Sequence, residues 1–375
     1  MIMTPQFFKR IGWTAALAAV ALLGGCGGGS QVHHFEPQRV VALGDEYSVI
    51  GDGSNGVAAG VKYTVNYVDT NKLTTPYPCS YDPNWVQLLA AQKFAITFPG
   101  CQANLPAAVG VMRAQPGFTA QDVINDANSW NQFQGGDLVT VLAGANDILN
   151  AYQQYPSVPL GTLRQTLKAA GQALGEWITQ LSNAHKDLRI LAVTVPDLGF
   201  SPLAYHDTPS AAWTTNTLGF FKDNCVDPNS GFNASPTRQE VLSRLTECFN
   251  AGLRDGLTNA SGYYVGLVLA DQMTHNILTD AAPASYGFTD ANDASCIASV
   301  SAPNCAITIT PAPTASDPNA YIADFSQLVA TGAQNSYFWA YAYDPSHPRD
   351  SVWLSPGGQA QLYSAASQTF DTNPF

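Results

Sequence analysis

The sequence predicts an α/β protein with a parallel sheet, because apolar strands alternate with long helices along the chain. Three short apolar runs, at residues 39–43, 138–142 and 188–195, are rich in Val, Ile or Leu and are bounded by Gly, Asp or Pro. Such runs are typical of strands that are buried on both faces. Between the second and third runs, apolar residues recur at three- and four-residue spacing over residues 163–181, which predicts an amphipathic helix. This alternation favours a sheet that is covered by helices on both faces.

Two more helices are expected in the C-terminal half of the chain. One covers residues 238–257, and the other begins within the segment LSPGGQAQLYSAASQTF. There Ser355 is placed to cap the first turn, and Pro356 takes the first helical position. Two regions, residues 61–105 and 272–335, are instead rich in Pro, Ala, Ser, Thr, Asn and Asp, and we interpret them as loops or insertions on a single domain.

The composition indicates a globular protein and argues against a nucleic-acid partner. The chain has 375 residues, of which 46% are hydrophobic and 12% are charged. A chain of this length and balance can bury one large core or two modest ones. The formal net charge is -12, and the 16 Lys and Arg residues form no basic stripe. We therefore expect no binding to nucleic acid.

The N-terminal segment has the features of an export signal. Two basic residues precede an apolar run over residues 11–23, which is short for a membrane span. The run ends in LLGGC, which resembles the lipobox of bacterial lipoproteins, with Cys26 as the lipidated first residue of the mature protein. An ordinary signal peptide that is cut nearby is the alternative. The expected organisation is a signal peptide over residues 1–25, a tether over residues 26–35 and a domain over residues 36–375, anchored by lipid in the bacterial cell envelope at the outer membrane, on its periplasmic or surface face.

Six further cysteines indicate disulfides formed in an oxidising compartment. They are Cys79, Cys101, Cys225, Cys248, Cys296 and Cys305. Six cysteines allow fifteen pairings, of which the sequential one would close three local loops. The sequence has no Cys-x-x-Cys pair and no His–Cys cluster with zinc spacing, so neither a metal nor a cofactor is expected.

Four separated motifs carry residues that together make most of an acyl-transfer site. The motifs are GDEYS, with Glu46 and Ser48; QPGFTAQDV, with Gly117; GAND, with Asn146; and DPSH, with Asp344 and His347. The first and third of these motifs follow predicted strands directly. Parallel sheets place their ligands at the carboxyl ends of the strands, so this is where a site is expected.

Ester hydrolysis needs a nucleophile, a base and hydrogen-bond donors for the oxyanion. His347 is the natural base, and Asp344 is near enough in sequence to orient its imidazole. The side-chain amide of Asn146 is a candidate oxyanion donor. The backbone N–H of Gly117 is a second candidate, because a glycine lets a substrate come close. A helix that started near residue 46 would add its positive N-terminal end to the same site.

The chain resembles the SGNH, or GDSL, family of lipases and acylhydrolases, whose blocks are GDSxS, a glycine, GxND and a C-terminal DxxH. The resemblance runs from about residue 36 to the C-terminus, and VTVPDLGFSPLA, APASYGFTDANDASC and YFWAYAYDPSHP are similar to segments of the lipase-like branch. It implies a three-layer α/β/α, flavodoxin-like fold, and a carboxylic ester in a small molecule or a lipid as the substrate. It also implies the oxyanion role for Gly117 and Asn146, and the role of base for His347 with Asp344.

The catalytic serine of that family is the third residue of the first block, and here this residue is Glu46. Three interpretations are open. In the first, Ser48 attacks instead, although a shift of two residues along a helical start rotates a side chain by about 200°, so that Ser48 would point away from His347. Glu46 itself acts as a nucleophile or as a base for water. In the third, Glu46 fills the oxyanion site and forms a salt bridge with His347.

The first two interpretations predict a carboxylic-ester hydrolase of the cell envelope with weak or altered activity, which is the function we expect from the sequence. The third predicts a catalytically inactive lipoprotein that binds an acyl or glycan ligand, which is the alternative.

Overall fold

The computed structural model describes residues 35–72, 77–101, 110–205, 225, 236–280, 283–312, 321–373 and 375. Residues Glu36–Phe375 form one compact unit. The predicted signal peptide and Cys26 lie outside the described residues. Among the helices of the described residues, none has both the length and the apolar character that crossing a bilayer requires.

The described part of the chain alternates strands and helices. Its strands are β1 (Arg39–Gly44), β2 (Asn66–Asp69), β3 (Val111–Met112), β4 (Asp137–Leu142), β5 (Arg189–Val193), β6 (Val265–Val268), β7 (Asp290–Cys296), β8 (Ala306–Pro311), β9 (Tyr321–Asp324) and β10 (Tyr337–Tyr341). Its helices are α1 (Trp85–Leu88), α2 (Ala120–Trp130), α3 (Ala145–Gln154), α4 (Leu160–Ala184), α5 (Pro202–Tyr205), α6 (Arg238–Gly256), α7 (Ala270–His275), α8 (Ala333–Ser336) and α9 (Pro356–Thr372). Short 3-10 or π turns lie at Leu89–Lys93, Pro99–Cys101, Leu198–Phe200, Asn276–Asp280, Pro283–Tyr286 and Pro348–Val352.

The central sheet has the strand order β3-β1-β4-β5-β6, and every neighbouring pair in it is parallel. All residues of β4 and β5 are buried, as are residues 40–44 of β1. Because successive residues of a strand point to opposite faces, both faces of the sheet are covered along these strands. The predicted α/β class with a parallel sheet is therefore confirmed.

The elements predicted from apolar patterns are present with small shifts at their ends. The three predicted strands are β1, β4 and β5, and the three predicted helices are α4, α6 and α9. Ser355 caps α9 as expected, since its hydroxyl oxygen accepts a hydrogen bond from the Gly358 N–H and Pro356 follows at the first helical position. These agreements reflect long or strongly apolar segments, in which burial decides the local structure.

The strand order reverses at β1, and this reversal positions the site. The next sheet strand along the chain, β3, adds on one side of β1, whereas β4, β5 and β6 add on the other. At such a reversal the connections leave the carboxyl ends of neighbouring strands in opposite directions and open a crevice in which ligands bind. The segments that follow β1, β3 and β4 carry Glu46, Gly117 and Asn146.

The two regions interpreted as loops contain strands, and in this respect the interpretation was wrong. Strand β2 pairs with parallel β8, β8 pairs with antiparallel β9, and β7 pairs with parallel β10. These strands are short and several are only partly buried, so polar residues on their exposed positions dominate the composition. Composition alone therefore missed the small sheet β2-β8-β9.

Three disulfides connect neighbouring cysteines in chain order. The pairs are Cys79–Cys101, Cys225–Cys248 and Cys296–Cys305. The last pair joins the end of β7 to the residue before β8, so it ties the two-stranded sheet to the three-stranded one. This is the sequential pairing among the fifteen that six cysteines allow.

Candidate functional site

A tight turn carries the chain from β1 into the site. Gly44 has φ +145°, and a Cβ atom placed there would lie 2.0 Å from the carbonyl oxygen of Leu142, so only glycine fits where β1 ends beside β4. The helix expected from residue 46 does not form. The carboxylate of Asp45 instead accepts the Tyr47 N–H at 3.2 Å, and the Asp45 carbonyl accepts the Ser48 N–H at 3.0 Å. Such local bonds offer the backbone an alternative to helix, and the expected helix dipole is absent from this turn.

The side chain of Glu46 occupies both of the donors that the sequence assigned to an oxyanion. Its Oε1 accepts the Gly117 N–H at 2.8 Å, and its Oε2 accepts the Asn146 amide at 2.8 Å. The residue is 8% exposed. Burial raises the pKa of Glu46, while the bonds from Asn146 and Gly117 and the positive charge of Arg349 act in the opposite direction.

Two helix starts hold these donors in place. Gly117 lies in the turn before α2, which Thr119 caps through a reciprocal capping box with Asp122. Asn146 lies in the first turn of α3, directly after β4. The carboxylate of Asp147 accepts the Ala120 N–H at 2.8 Å and so links the first turns of the two helices. Burial raises the pKa of Asp147 to about 6.

The positive φ of Gly117, +79°, matters for the same site. No heavy atom lies within 4 Å of the position that a Cβ atom would take there. A substituent would therefore project into open space, and the backbone conformation rather than crowding is what calls for glycine.

Arg349 fixes the orientation of the Asn146 amide, and sequence reasoning did not identify this residue. Its Nη2 donates to Asn146 Oδ1 at 3.0 Å and its Nη1 donates to Asn150 Oδ1 at 3.0 Å. A guanidinium group only donates, so it selects the oxygen of Asn146 and turns the amide nitrogen toward Glu46. Its sequence position could have indicated it, since Arg349 follows His347 by two residues and so belongs to the same C-terminal segment.

His347 and Asp344 form the expected pair, at the surface. The ring Nδ1 of His347 lies 3.2 Å from Asp344 Oδ2, and the His347 side chain is 54% exposed. The backbone N–H of Ser346 and the ring of His347 lower the pKa of Asp344.

The salt bridge expected between Glu46 and His347 does not form among the described residues. Both oxygens of Glu46 are already bonded to Gly117 and Asn146, and the cation that acts on its pKa is Arg349. His347 instead lies close enough to Asp350 for its charge to lower the pKa of that carboxyl, which burial raises. His347 is not among the described residues that line the cavity beside Glu46.

Ser48 is not placed as a nucleophile in this structure. It is fully buried, and its hydroxyl has no hydrogen-bond partner among the described residues. It does not line the cavity beside Glu46. The expectation that the Ser48 side chain points away from His347 stays a prediction, because the helix start on which it was based does not form.

A cavity of about 350 Å³ opens beside the Glu46 carboxylate. Its described lining residues are Glu46, Tyr63, Gly117, Asn146, Asn150, Ala302, Arg349, Asp350 and Trp353. The rings of Tyr47 and Tyr63 pack edge-on against Trp353, with centroids 5.1 Å and 6.2 Å away, and the Tyr47 hydroxyl donates to the Val352 carbonyl at 2.7 Å. These contacts pack Tyr47 and Tyr63 against the segment that carries Arg349.

The described residues include no group of three or more His, Cys, Asp or Glu side chains placed to hold a metal ion. The chain matches no protein-family model, and no curated protein matches it either.

Proposed function

We propose that this protein is an SGNH/GDSL-type lipoprotein of the bacterial cell envelope that binds an acyl or glycan ligand and does not hydrolyse esters through a serine. The observation that carries the proposal is the position of the Glu46 carboxylate, which is bonded at 2.8 Å to each of the two candidate oxyanion donors. These donors are therefore unavailable to a substrate.

The strand order and the motif positions support the fold assignment. Taken in chain order, the strands of the central sheet stand as 2-1-3-4-5, which is the order of flavodoxin-like folds. The residues that resemble the family's first three blocks follow β1, β3 and β4, at the edge where such folds bind ligands. A three-layer α/β/α, flavodoxin-like architecture is the finer description that we propose.

The chemistry of ester hydrolysis explains why an occupied donor pair stops the reaction. Attack on an ester carbonyl places a negative charge on its oxygen, and one oxyanion donor contributes about 10²–10³ in rate. In this protein an internal carboxylate bonds to both donors, and its negative charge repels a second anion at the same position. A ligand can still occupy the neighbouring cavity.

A weak or altered carboxylic-ester hydrolase is the second candidate, and the bond between His347 and Asp344 favours it. In this candidate an ester of a small molecule or lipid displaces Glu46 from the donors. His347, oriented by Asp344 through Nδ1, then takes the proton of the attacking group with its other ring nitrogen.

Hydrolysis of short-chain chromogenic esters separates the two candidates. We expect the wild type to be inactive and Glu46→Ser to gain activity that disappears in Glu46→Ser/His347→Ala, because serine frees the donors and supplies a hydroxyl. Glu176→Ser, at an exposed position on α4, is the matched control and should stay inactive. Wild-type hydrolysis that is lost in both Ser48→Ala and His347→Ala would establish the second candidate. A silent Glu46→Ser variant would contradict the assignment to this family.

The proposed location rests on the lipobox-like LLGGC segment and on the three disulfides, which form readily outside the cytoplasm. The lipid on Cys26 would attach the protein to the outer membrane. Membrane fractionation tests this, since Cys26→Ser should release the protein into the soluble fraction.

A further inference from the structure

The cavity beside Glu46 has walls suited to hydroxyl groups and not to an alkyl chain. Among the described residues that line it, Ala302 has the only aliphatic side chain and Gly117 has no side chain, and the others offer carboxylate, amide, guanidinium, phenol or indole groups. An acyl chain longer than a few carbons needs apolar walls to gain from leaving water. We infer that the natural ligand presents a neutral sugar ring to this cavity. The inference deepens the proposed function by naming the ligand class of the same site.

Several polar groups in the cavity have unused hydrogen-bonding capacity. Asp350 Oδ2 accepts the Ala302 N–H at 2.7 Å, but its Oδ1 has no partner among the described residues. The Tyr63 hydroxyl and the Asn150 amide nitrogen also have none within the described ranges. Each oxygen of Glu46 accepts one bond and can accept a second. Donors and acceptors that stand side by side match sugar hydroxyls, which both donate and accept.

Tyr63 remains a donor at any physiological pH. Burial, followed by the charges of Glu46 and Asp350, raises the pKa of Tyr63 to about 12. Its phenol therefore keeps its proton and faces the carboxylates as a hydroxyl. A ligand hydroxyl placed between Tyr63 and Asp350 would accept from the first and donate to the second.

The charge of the cavity discriminates against anions. Glu46 and Asp350 contribute two carboxylates, against the single guanidinium of Arg349. Arg349 also has two of its donors engaged by Asn146 and Asn150. A fatty-acid carboxylate, a phosphate headgroup or a uronic acid would add negative charge where it is already in excess, and like charges at close range weaken binding.

The aromatic side chains complete the match to a sugar. The rings of Tyr63 and Trp353 meet edge to face at an interplanar angle of 76°, and both residues line the cavity. The C–H face of a sugar ring packs on such surfaces while its hydroxyls bond to the polar wall. A volume of about 350 Å³ is at the small end of ordinary ligand pockets and suits a compact ligand.

Direct binding to the full chain tests the inference without any need for hydrolysis. The probes are glucose, galactose, N-acetylglucosamine and their disaccharides, compared with glucuronate and hexanoate. Saturation-transfer NMR and calorimetry should detect binding of at least one neutral saccharide, with a Kd of about 10 mM or below. Glucuronate should bind about tenfold more weakly than glucose, because it differs by one carboxylate.

Two pocket variants with matched controls locate the binding. Tyr63→Phe and Asp350→Asn should each weaken binding of the neutral saccharide about tenfold, and the amide oxygen introduced by Asp350→Asn can still accept the Ala302 N–H. Tyr263→Phe and Asp371→Asn make the same chemical changes at exposed positions away from the cavity and should have no effect.

Three results would each overturn the inference. They are no binding of any neutral saccharide, tighter binding of hexanoate than of sugars, and unchanged sugar affinity in both pocket variants. None of them depends on whether Glu46→Ser hydrolyses esters, so this test and that of the proposed function can fail separately.

Discussion

At the scale of single residues, the state of Glu46 depends on opposing effects whose sources can be separated. Burial raises its pKa, whereas the Asn146 and Gly117 hydrogen bonds and the Arg349 charge lower it. Arg349 acts in two ways, because it also orients the Asn146 amide. Without Arg349, less would therefore offset the rise in the pKa of Glu46 that burial causes.

We predict that Arg349→Met raises the pKa of Glu46. Methionine keeps much of the side-chain length but supplies no charge and no donors. The side-chain carboxyl ¹³C shift of Glu46, followed by NMR over a pH titration, measures the change. Lys72→Met removes an exposed cation elsewhere and should leave the Glu46 titration unchanged. An equal or lower midpoint in Arg349→Met would show that Arg349 does not stabilise the Glu46 carboxylate.

Ser48 gives a second prediction at this scale. Its hydroxyl is buried without a partner among the described residues, which costs free energy in the folded state. We expect Ser48→Ala to leave the free energy of unfolding unchanged or to raise it by about 1 kcal/mol. Ser201→Ala is the matched control, because the equally buried Ser201 hydroxyl donates to the Leu198 carbonyl at 2.6 Å, and its loss should cost about 1 kcal/mol.

Chemical denaturation of both variants measures these two changes. Loss of stability in Ser48→Ala as large as in Ser201→Ala would mean that the Ser48 hydroxyl is satisfied in solution.

The site was only partly predictable from single residues. Glu46, Gly117, Asn146, Asp344 and His347 stand in short motifs that follow strands or share a turn, so their sequence positions carry information. The contact of Arg349 with Asn146 spans 203 positions in the chain and belongs to no local pattern. Local patterns therefore could not indicate that Arg349, and not His347, lines the cavity beside Glu46.

At the scale of elements, helices α4 and α6 approach each other through glycines. A Cβ atom at Gly171 would lie 2.0 Å from the Phe249 carbonyl oxygen, and one at Gly252 would lie 2.0 Å from the Lys168 carbonyl oxygen. The obstacles are backbone atoms of the facing helix, which cannot rotate away. The close packing of the two helices therefore requires these glycines.

We predict that Gly171→Ala and Gly252→Ala each destabilise the protein by about 1–3 kcal/mol, as overpacked substitutions do. Replacing an unconstrained helical glycine with alanine would instead stabilise the protein, because alanine has the higher helix propensity by about 1 kcal/mol. Thermal unfolding measures the effect. Gly262→Ala, where no atom lies within 4 Å of the new Cβ, should change stability by no more than about 0.5 kcal/mol. Stabilisation in either helix variant would mean that the helices separate at little cost.

The elements also show why the sequence predicted one sheet and missed another. Strands β1, β4 and β5 are buried on both faces, so nearly every residue in them is apolar and the run stands out. Strand β2 has only one buried residue of its four, and β8 is exposed at its last two residues. The pairing of β2 with β8 joins residues that are 240 positions apart, for example Asn66 with Ala306, and no local pattern records it.

At the scale of the whole molecule, buried carboxyl groups should make the protein less stable as the pH rises toward neutral. Burial raises the pKa of Asp197 and of Asp82 to about 7, and that of Asp147 to about 6. The ordinary aspartate value is 3.8. Between these values the folded state holds protons that the unfolded chain has released. The free energy of unfolding then falls as pH rises, because the unfolded state binds fewer protons.

Asp197 is the clearest source of this effect, and its replacement by asparagine gives the last prediction. Its carboxylate accepts the Gly199 N–H at 2.9 Å and the Ser243 hydroxyl at 2.7 Å, both at Oδ1, and an asparagine oxygen can keep both bonds. An amide carries no charge, so the variant avoids the ionisation in a buried position that the wild type undergoes toward neutral pH. We expect the free energy of unfolding of the wild type to fall between about pH 4.5 and 7.5. Over the same range, the fall in Asp197→Asn should be smaller by an amount of the order of 3 kcal/mol.

Denaturant titrations at several pH values measure the two slopes. Asp371→Asn, at an exposed carboxylate on α9, is the control and should follow the wild-type slope. The measurement stays below pH 8 because the buried Lys62, whose pKa burial lowers to about 8, adds a slope of opposite sign above that value. An unchanged slope in Asp197→Asn would show that Asp197 is ionised in the folded protein throughout.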